Sequence, residues 1–260
     1  MALLKFAYFG VRIALEWDNP ELDERLWSLL LPIWSHQPEL IPTAVFRISS
    51  CPDGAVLIQG PDDEPPRPHR TDIFEALERR IHFYLANHCQ DVVFVHAGAV
   101  AWQGRVILIP GSSFSGKSTL THQLVQEGAE YLSDEYAVID QTGTVHPFPR
   151  PIALRADGGQ RLSPEHLCAI PLPVVAVIAT RYHAGRSWKP KELSLGRAAM
   201  ELMAHTVTAR KAPGLALSCL STCVQNAIFW AGPRGDAQQT ARLILRRLTS
   251  KGMPPSSTSA

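Results

Sequence analysis

Apolar positions along this chain switch between a spacing of two and a spacing near 3.6, and the switches mark its elements. Residues Phe6 to Leu15 read as a strand. Asn19-Pro20-Glu21-Leu22 opens a helix to about Trp34. Asn19 is a capping residue, Pro20 fits the first helical position, and Leu26, Leu29, Leu30 and Trp34 recur at helical spacing. Residues 44–48 and 55–58 read as two strands across a Cys51-Pro52-Asp53-Gly54 turn. Residues 61–69 carry four prolines among charges and break the pattern. A helix is predicted over 72–88, with Phe74, Leu77, Ile81 and Leu85 on one face. Two extended runs, 92–100 and 106–110, flank a Trp102-Gln103-Gly104-Arg105 turn. A helix-compatible run, 118–127, stops at Gly128, and a strand over 131–140 follows. Residues 147–155, with three prolines, predict a rigid extended segment. Beyond it come a buried strand (174–180), helices (195–210 and 215–225), a short strand (227–231) and a helix capped by Asp236 to about Leu248. The alternation predicts an α/β chain. Its expected parts are a small α+β unit (1–60), a Pro-rich linker or loop (61–70), an α/β domain (71–250) and a disordered Ser/Pro-rich tail (251–260).

One stretch adds chemistry to this pattern. The apolar run Val106-Ile107-Leu108-Ile109-Pro110 leads into Gly111-Ser112-Ser113-Phe114-Ser115-Gly116-Lys117-Ser118-Thr119. Strand, Gly-x-x-x-x-Gly-Lys-Ser loop and helix start are the context of a phosphate-binding P-loop. Gly111 and Gly116 lack a Cβ, so the backbone can turn tightly against a ligand. Successive N–H groups then face an anion at a helix N-terminus. Lys117 adds a cation for the outer phosphates, and the Ser118 hydroxyl suits Mg²⁺. The loop therefore predicts ATP and Mg²⁺ as cofactors.

Further candidates lie around it. Asp134, 17 residues after Lys117, is followed directly by Glu135. On a strand the two face opposite ways, so only a bulge lets both reach the loop. Asp134 is the candidate base for an attacking hydroxyl, and Glu135 is a candidate metal ligand or arginine partner. His96 ends the strand before the hairpin and is a candidate for orienting a carboxylate or touching phosphate. Arg150 and Arg155, in a proline-stiffened stretch, suit bidentate phosphate binding.

Composition narrows the classes. With 260 residues, 45% hydrophobic and 19% charged, the chain suits one or two globular domains. A net charge of +1 argues against broad binding to nucleic acid or an anionic membrane. No segment reaches the ~18 apolar residues of a membrane span, and the first fifteen residues show no clear cleavage site. Five scattered cysteines, Cys51, Cys89, Cys168, Cys219 and Cys223, predict free thiols and a reducing, cytoplasmic setting.

His96-Ala97-Gly98, then Gly111 to Thr119, then Leu132-Ser133-Asp134-Glu135, resembles the catalytic domain of the HPr serine kinase/phosphorylase family, which is similar to phosphoenolpyruvate carboxykinase around its P-loop. The resemblance covers about residues 90–155. It implies that His96 assists the site, that Lys117 and Ser118 bind phosphate and Mg²⁺, and that Asp134 deprotonates an acceptor serine. Glu135 stands where the family usually has a second aspartate, and the family's glycine-rich Glu-Ile-Arg-Gly-type signature is absent. In this the chain looks more like HPr-kinase-related proteins of peptide-natural-product and exosortase gene sets, among them lasso-peptide kinases. The expected activity is ATP-dependent transfer to a serine of a peptide or small protein, with a homo-oligomer plausible from the family. Rival readings are a small-molecule hydroxyl kinase and a nucleotide-binding regulatory protein.

Overall fold

The structure, a computed structural model, describes residues 2–27, 34–51, 55–61, 67–69, 73–150, 152–154, 160–162 and 166–251. It divides into two compact units, Met1–Asp91 and Val92–Ala260.

The first unit is a five-stranded sheet with helices. Strands β1 (Ala2–Tyr8) and β2 (Val11–Trp17) form an antiparallel hairpin. The single strand expected over 6–15 is thus two strands. The chain reverses at Phe9 and Gly10, whose φ angles of 39° and 80° suit a two-residue hairpin turn. A 3-10 turn, Pro20–Leu22, capped by the Asn19 side chain, leads into α1 (Asp23–Trp27). The helix expected to run to about Trp34 does not include it: Trp34 is not helical but stacks on Phe6, and Leu29 and Leu30 lie outside the described residues.

Strand β3 (Ala44–Ser50) runs parallel to β2. Strands β4 (Val56–Gln59) and β5 (Arg67–His69) add antiparallel, giving the order β1-β2-β3-β4-β5. Helix α2 (Ile73–His88) belongs to this unit rather than to the loop-bearing domain as expected. Three contacts hold the helix and its C-terminal extension to this sheet. Arg80 Nη1 donates to Ile58 O at 2.7 Å, Tyr84 packs edge-on against Phe46, and Gln90 N–H donates to Phe9 O. The Pro-rich stretch is likewise no simple linker, because β5 pairs with β4.

The second unit is built on β6 (Val92–Trp102) and β7 (Arg105–Pro110), an antiparallel hairpin turning at Gln103 and Gly104, both with positive φ. After α3 (Lys117–Gln126) come β8 (Glu130–Ser133), β9 (Tyr136–Asp140), β10 (Thr144–His146), β11 (Ile152–Leu154) and β12 (Gln160–Leu162). Among the described residues, β11 and β12 form a separate two-stranded sheet. Next are β13 (Leu172–Ala179), β14 (Lys191–Leu193), α4 (Leu195–Ala204), α5 (Pro213–Val224), β15 (Ile228–Ala231) and α6 (Ala237–Ser250). Helix α4 stops six residues short of the expected end, because Val207 N–H bonds Phe94 O and Thr206 bridges Val95.

The main sheet has the order β10-β9-β6-β7-β13-β15-β14, and β8 pairs with β6 beyond β9. Strands β7, β13 and β15 are parallel, and both flanks are antiparallel. Strand β10 also pairs with the start of β13. Helices cover both faces. Ile107 and Ile109 pack with Leu120, Leu124, Ile244 and Leu248 from α3 and α6. Val106 and Leu108 pack with Leu202, Cys219 and Leu220 from α4 and α5. Two covered faces account for the unbroken apolar run of β7. Among the described residues no helix is long and apolar enough to cross a membrane, and none of the five cysteines forms a disulfide.

Helix α3 crosses β6 at Gly98. A Cβ added there would collide with Thr121 Oγ1 and touch Lys117 Cγ at 3.4 Å. Thr121 Oγ1 is buried without a hydrogen-bond partner, so its removal costs little. Gly98→Ala is therefore expected to destabilise the protein by about 1–3 kcal/mol through overpacking. The double variant with Thr121→Ala recovers most of that loss. Urea unfolding of both variants checks this; a double variant no better than Gly98→Ala would show that the hydroxyl is not what the glycine avoids.

Candidate functional site

The glycine loop sits at the carboxyl end of β7, where β13 and β15 also end, the usual place for a site in an α/β sheet. Gly116 has φ of 86° and precedes α3, so its left-handed backbone is what turns the loop into the helix. Ser115 N–H donates to Ser112 O at 3.3 Å, closing the loop. Ser112, Ser113, Phe114 and Thr119 are exposed, and Gly111, Ser115 and Lys117 are buried. Ser115 Oγ has no hydrogen-bond partner.

Lys117 folds back over the loop. Its Nζ lies 2.8 Å from His96 Nε2 and 3.3 Å from Gly111 O. An ammonium can only donate, so Nε2 of His96 is the acceptor and the ring proton sits on Nδ1. Burial lowers the Lys117 pKa, opposed by the nearby Asp134 and Glu135 carboxylates. Burial, reinforced by the Lys117 charge, lowers His96 to about 4, so the imidazole is neutral at pH 7.

The strand expected over 131–140 is broken. Strands β8 and β9 lie end to end along β6, with a register shift opposite Ala99 and Val100, and Asp134-Glu135 fills the gap. The break lets both carboxylates act on one place, and both act electrostatically on Lys117. Asp134 is buried, with Oδ1 lacking a hydrogen-bond partner. Burial pushes its pKa up to about 6, against the pull of a Ser118 hydrogen bond and the Lys117 charge. Glu135 is half-exposed; its Oε2 pairs with Arg150 Nη1 at 3.2 Å and its Oε1 lies 3.8 Å from His96 Nε2. Arg150 is anchored through its backbone, whose carbonyl accepts from the buried Tyr131 hydroxyl at 2.8 Å. The structure thus brings together His96, Lys117, Ser118, Asp134, Glu135 and Arg150. Arg155 lies outside the described residues.

Arg234, which sequence reasoning passed over, is 2% exposed. Its Nη2 donates to Gly116 O at 2.6 Å and its Nη1 to Gly235 O at 2.8 Å. The available signal was an arginine inside Gly232-Pro233-Arg234-Gly235-Asp236, directly before a helix cap. Tyr182 was also missed; its N–H donates to Ser115 O at 3.1 Å. The loop separates two open cavities. One, of about 970 Å³, touches Phe114, Gly116, Thr119 and Arg234. The other, of about 430 Å³, touches Gly111, Ser112, Ser115, Arg181, His183 and His205.

The donor set fits a magnesium nucleotide. Lys117 and the N-terminus of α3 offer positive charge, and Ser118 beside the unpartnered Asp134 Oδ1 offers hard oxygens. Among the described residues there is no group of three or more His, Cys, Asp or Glu placed to hold a metal by itself. A Mg²⁺ shared with phosphates needs only one or two protein oxygens.

No family model matches the chain, and no curated protein matches it. Among solved structures it is similar to the Hpr(Ser) kinase/phosphatase from Coxiella burnetii, with a TM-score of 0.38 and 13% identity over 62% of this chain and 97% of that one.

The raised pKa of Asp134 makes a stability prediction. A carboxyl that titrates higher in the folded state binds its proton more tightly there than when unfolded. Stability therefore falls as pH rises from about 4 to about 6, and the loss, on the order of 3 kcal/mol, is fully present above that window. Asp134→Asn removes the ionisation. Its urea midpoint is expected to exceed that of the parent at about pH 7.5 and to converge with it near pH 4. A variant less stable than the parent at neutral pH would contradict the assignment.

Proposed function

We propose that this protein transfers the γ-phosphate of ATP to a hydroxyl, the acceptor being a serine of a peptide or small protein. The observation that carries the reading is Asp134: a buried carboxylate in a strand break, hydrogen-bonded by the residue that follows the loop lysine. In this reading the backbone of Gly111 to Thr119 cradles the phosphates. Ser118 would hold Mg²⁺, with Glu135 a further oxygen beside Arg150, which leaves the Asp134 carboxylate to act as the base. Bound there, the metal supplies charge neutralisation on the phosphate oxygens.

The chain's own residues do the rest. With a pKa near 6, Asp134 is ionised at pH 7 yet basic enough to accept the proton of an attacking hydroxyl. Lys117 lies within reach of the loop interior and neutralises developing charge once it leaves His96 Nε2. Neutral His96 holds the ammonium until then. Arg150, steered by Glu135 and by the Tyr131 hydroxyl on its backbone, adds a second cation. Arg155 is a further cation in the same sequence stretch. The choice of a serine acceptor follows the resemblance of the motifs.

The test is ADP formation from Mg·ATP, alone and with a small-peptide fraction from host cells, with products read by mass. Peptide-stimulated turnover is expected, with products about 80 Da heavier on serine. Asp134→Asn should keep ATP binding within a few-fold while transfer falls by at least about 100-fold. ATP binding without turnover on peptide or metabolite fractions would favour a nucleotide-sensing role, and unchanged transfer in the variant would remove Asp134 as the base.

A further inference from the structure

Two aromatic rings stand open to solvent beside the glycine loop, and the backbone works to keep one of them there. Phe114 is 84% exposed at φ of 68°, a left-handed conformation that a residue with a Cβ adopts at a cost. Backbone outliers of this kind cluster at ligand sites. Tyr182, 54% exposed, follows the end of β13 and is tied to the loop through its N–H on Ser115 O. Both rings border the cavity of about 970 Å³, on the side of the loop where α3 begins at Gly116 and Thr119. Arg234 reaches the same wall. Its guanidinium carbon lies 5.7 Å from the Tyr182 ring, and its Nε is buried without a partner. Among the described residues, the smaller cavity, beside Gly111 and Ser112, has no Phe, Tyr or Trp on its wall.

We infer that the larger cavity takes the nucleoside of the bound triphosphate, its base stacked on Phe114 and Tyr182, and leaves the smaller cavity to the phosphate acceptor. The inference rests on the reading of the glycine loop as a triphosphate site. Its chemistry is distinct from that reading. Backbone N–H groups and Lys117 hold phosphates of any triphosphate, whereas two rings recognise a planar base by its π-face. The ligand class is thus a nucleoside triphosphate held at both ends, not a polyphosphate held at one. Arg186 lines the same cavity and adds positive charge to it.

Binding of Mg·ATP and of magnesium tripolyphosphate, which lacks a nucleoside, separates the two ideas. The ligands are titrated against the parent protein, Phe114→Ala, Tyr182→Ala and Phe114→Tyr. Tyr182→Ala, outside the loop, is expected to weaken ATP binding about tenfold while tripolyphosphate binding stays within about twofold, which also reports an intact loop. Phe114→Ala is expected to lose about tenfold more for ATP than for tripolyphosphate, and Phe114→Tyr to retain ATP binding. Equal losses for both ligands would mean that the rings only shape the loop, and unchanged ATP binding would put the base elsewhere; either outcome overturns the inference. A parent protein that binds neither ligand refutes the triphosphate reading itself, and this inference with it.

Discussion

The close crossing of α3 over β6 at Gly98 is the constraint on which the loop-bearing unit depends. With no side chain on the strand, the first turns of the helix settle onto it, and Thr121 and Lys117 Cγ occupy the space a Cβ would need. That contact sets the height of the helix above the sheet. The glycine loop spans the end of β7 and the start of α3, and β7 is paired residue by residue with β6, so the loop's two anchors are fixed by one packing distance. The same approach brings Lys117 Nζ to His96, two residues before the glycine on the same strand. Helix position, loop geometry and lysine placement are therefore one structural event. Interiors packed as densely as proteins are cannot change one of these without the others.

Around that contact the protein gathers charges that a purely structural core would avoid. A buried ammonium, a buried carboxylate, a half-exposed glutamate and an arginine lie within mutual electrostatic range. Desolvation dominates both principal shifts, raising Asp134 and lowering Lys117, so each group is held in its less comfortable state by its surroundings. Pairing softens the cost without removing it: Asp134 Oδ1 and Ser115 Oγ remain without partners. Dipoles and charges fixed in advance, with some hydrogen-bonding capacity left over, are the arrangement that stabilises a ligand's charge at little reorganisation cost. The same arrangement explains why removing a charge here should raise stability and lower activity together.

Local structure was legible in the sequence where it was written in consecutive residues. The Gly111–Thr119 signature, its strand, its helix and the carboxylates one helix later could be read because spacing and residue type act over a single supersecondary unit. The helices capped by Asn19 and Asp236 began where their caps predicted. The failures have physical causes. The Phe9-Gly10 reversal was hidden because an aromatic residue occupies a left-handed position that usually signals itself through Asn or Asp. The break at Asp134-Glu135 interrupts the pairing with β6 between Ala99↔Ser133 and His96↔Tyr136, partners that are distant in the chain and that no local pattern encodes. The membership of α2 was set by contacts with β3 and β4 that no local pattern encodes. Arg234 and Tyr182 reach the loop from beyond β13 and β15, so only the parallel order β7-β13-β15 brings them there.

Arg234 completes an electrostatic imbalance that gives the site its direction. The N-terminus of α3 carries a partial positive charge from its unpaired N–H groups. Lys117 occupies the first turn, and Arg234 Nη2 donates to the carbonyl of Gly116 at the helix entrance. Two cations at the positive end of a helix repel it and each other, and burial costs Arg234 hydration as well, which lowers its pKa. Asp134 and Glu135 answer this charge from the side of β6, and Glu135 is itself shared with Arg150. On the side of the large cavity the described wall carries Arg186 and Arg234 against Asp236, whose side chain is spent capping α6 through Gln239 N–H. Asp236 also acts electrostatically on Arg234, so the positive field on this side is compensated by one carboxylate against two arginines. A polyanion entering along the side of the large cavity would relieve the repulsion, satisfy the loop N–H groups and free Lys117 from His96 in a single binding step.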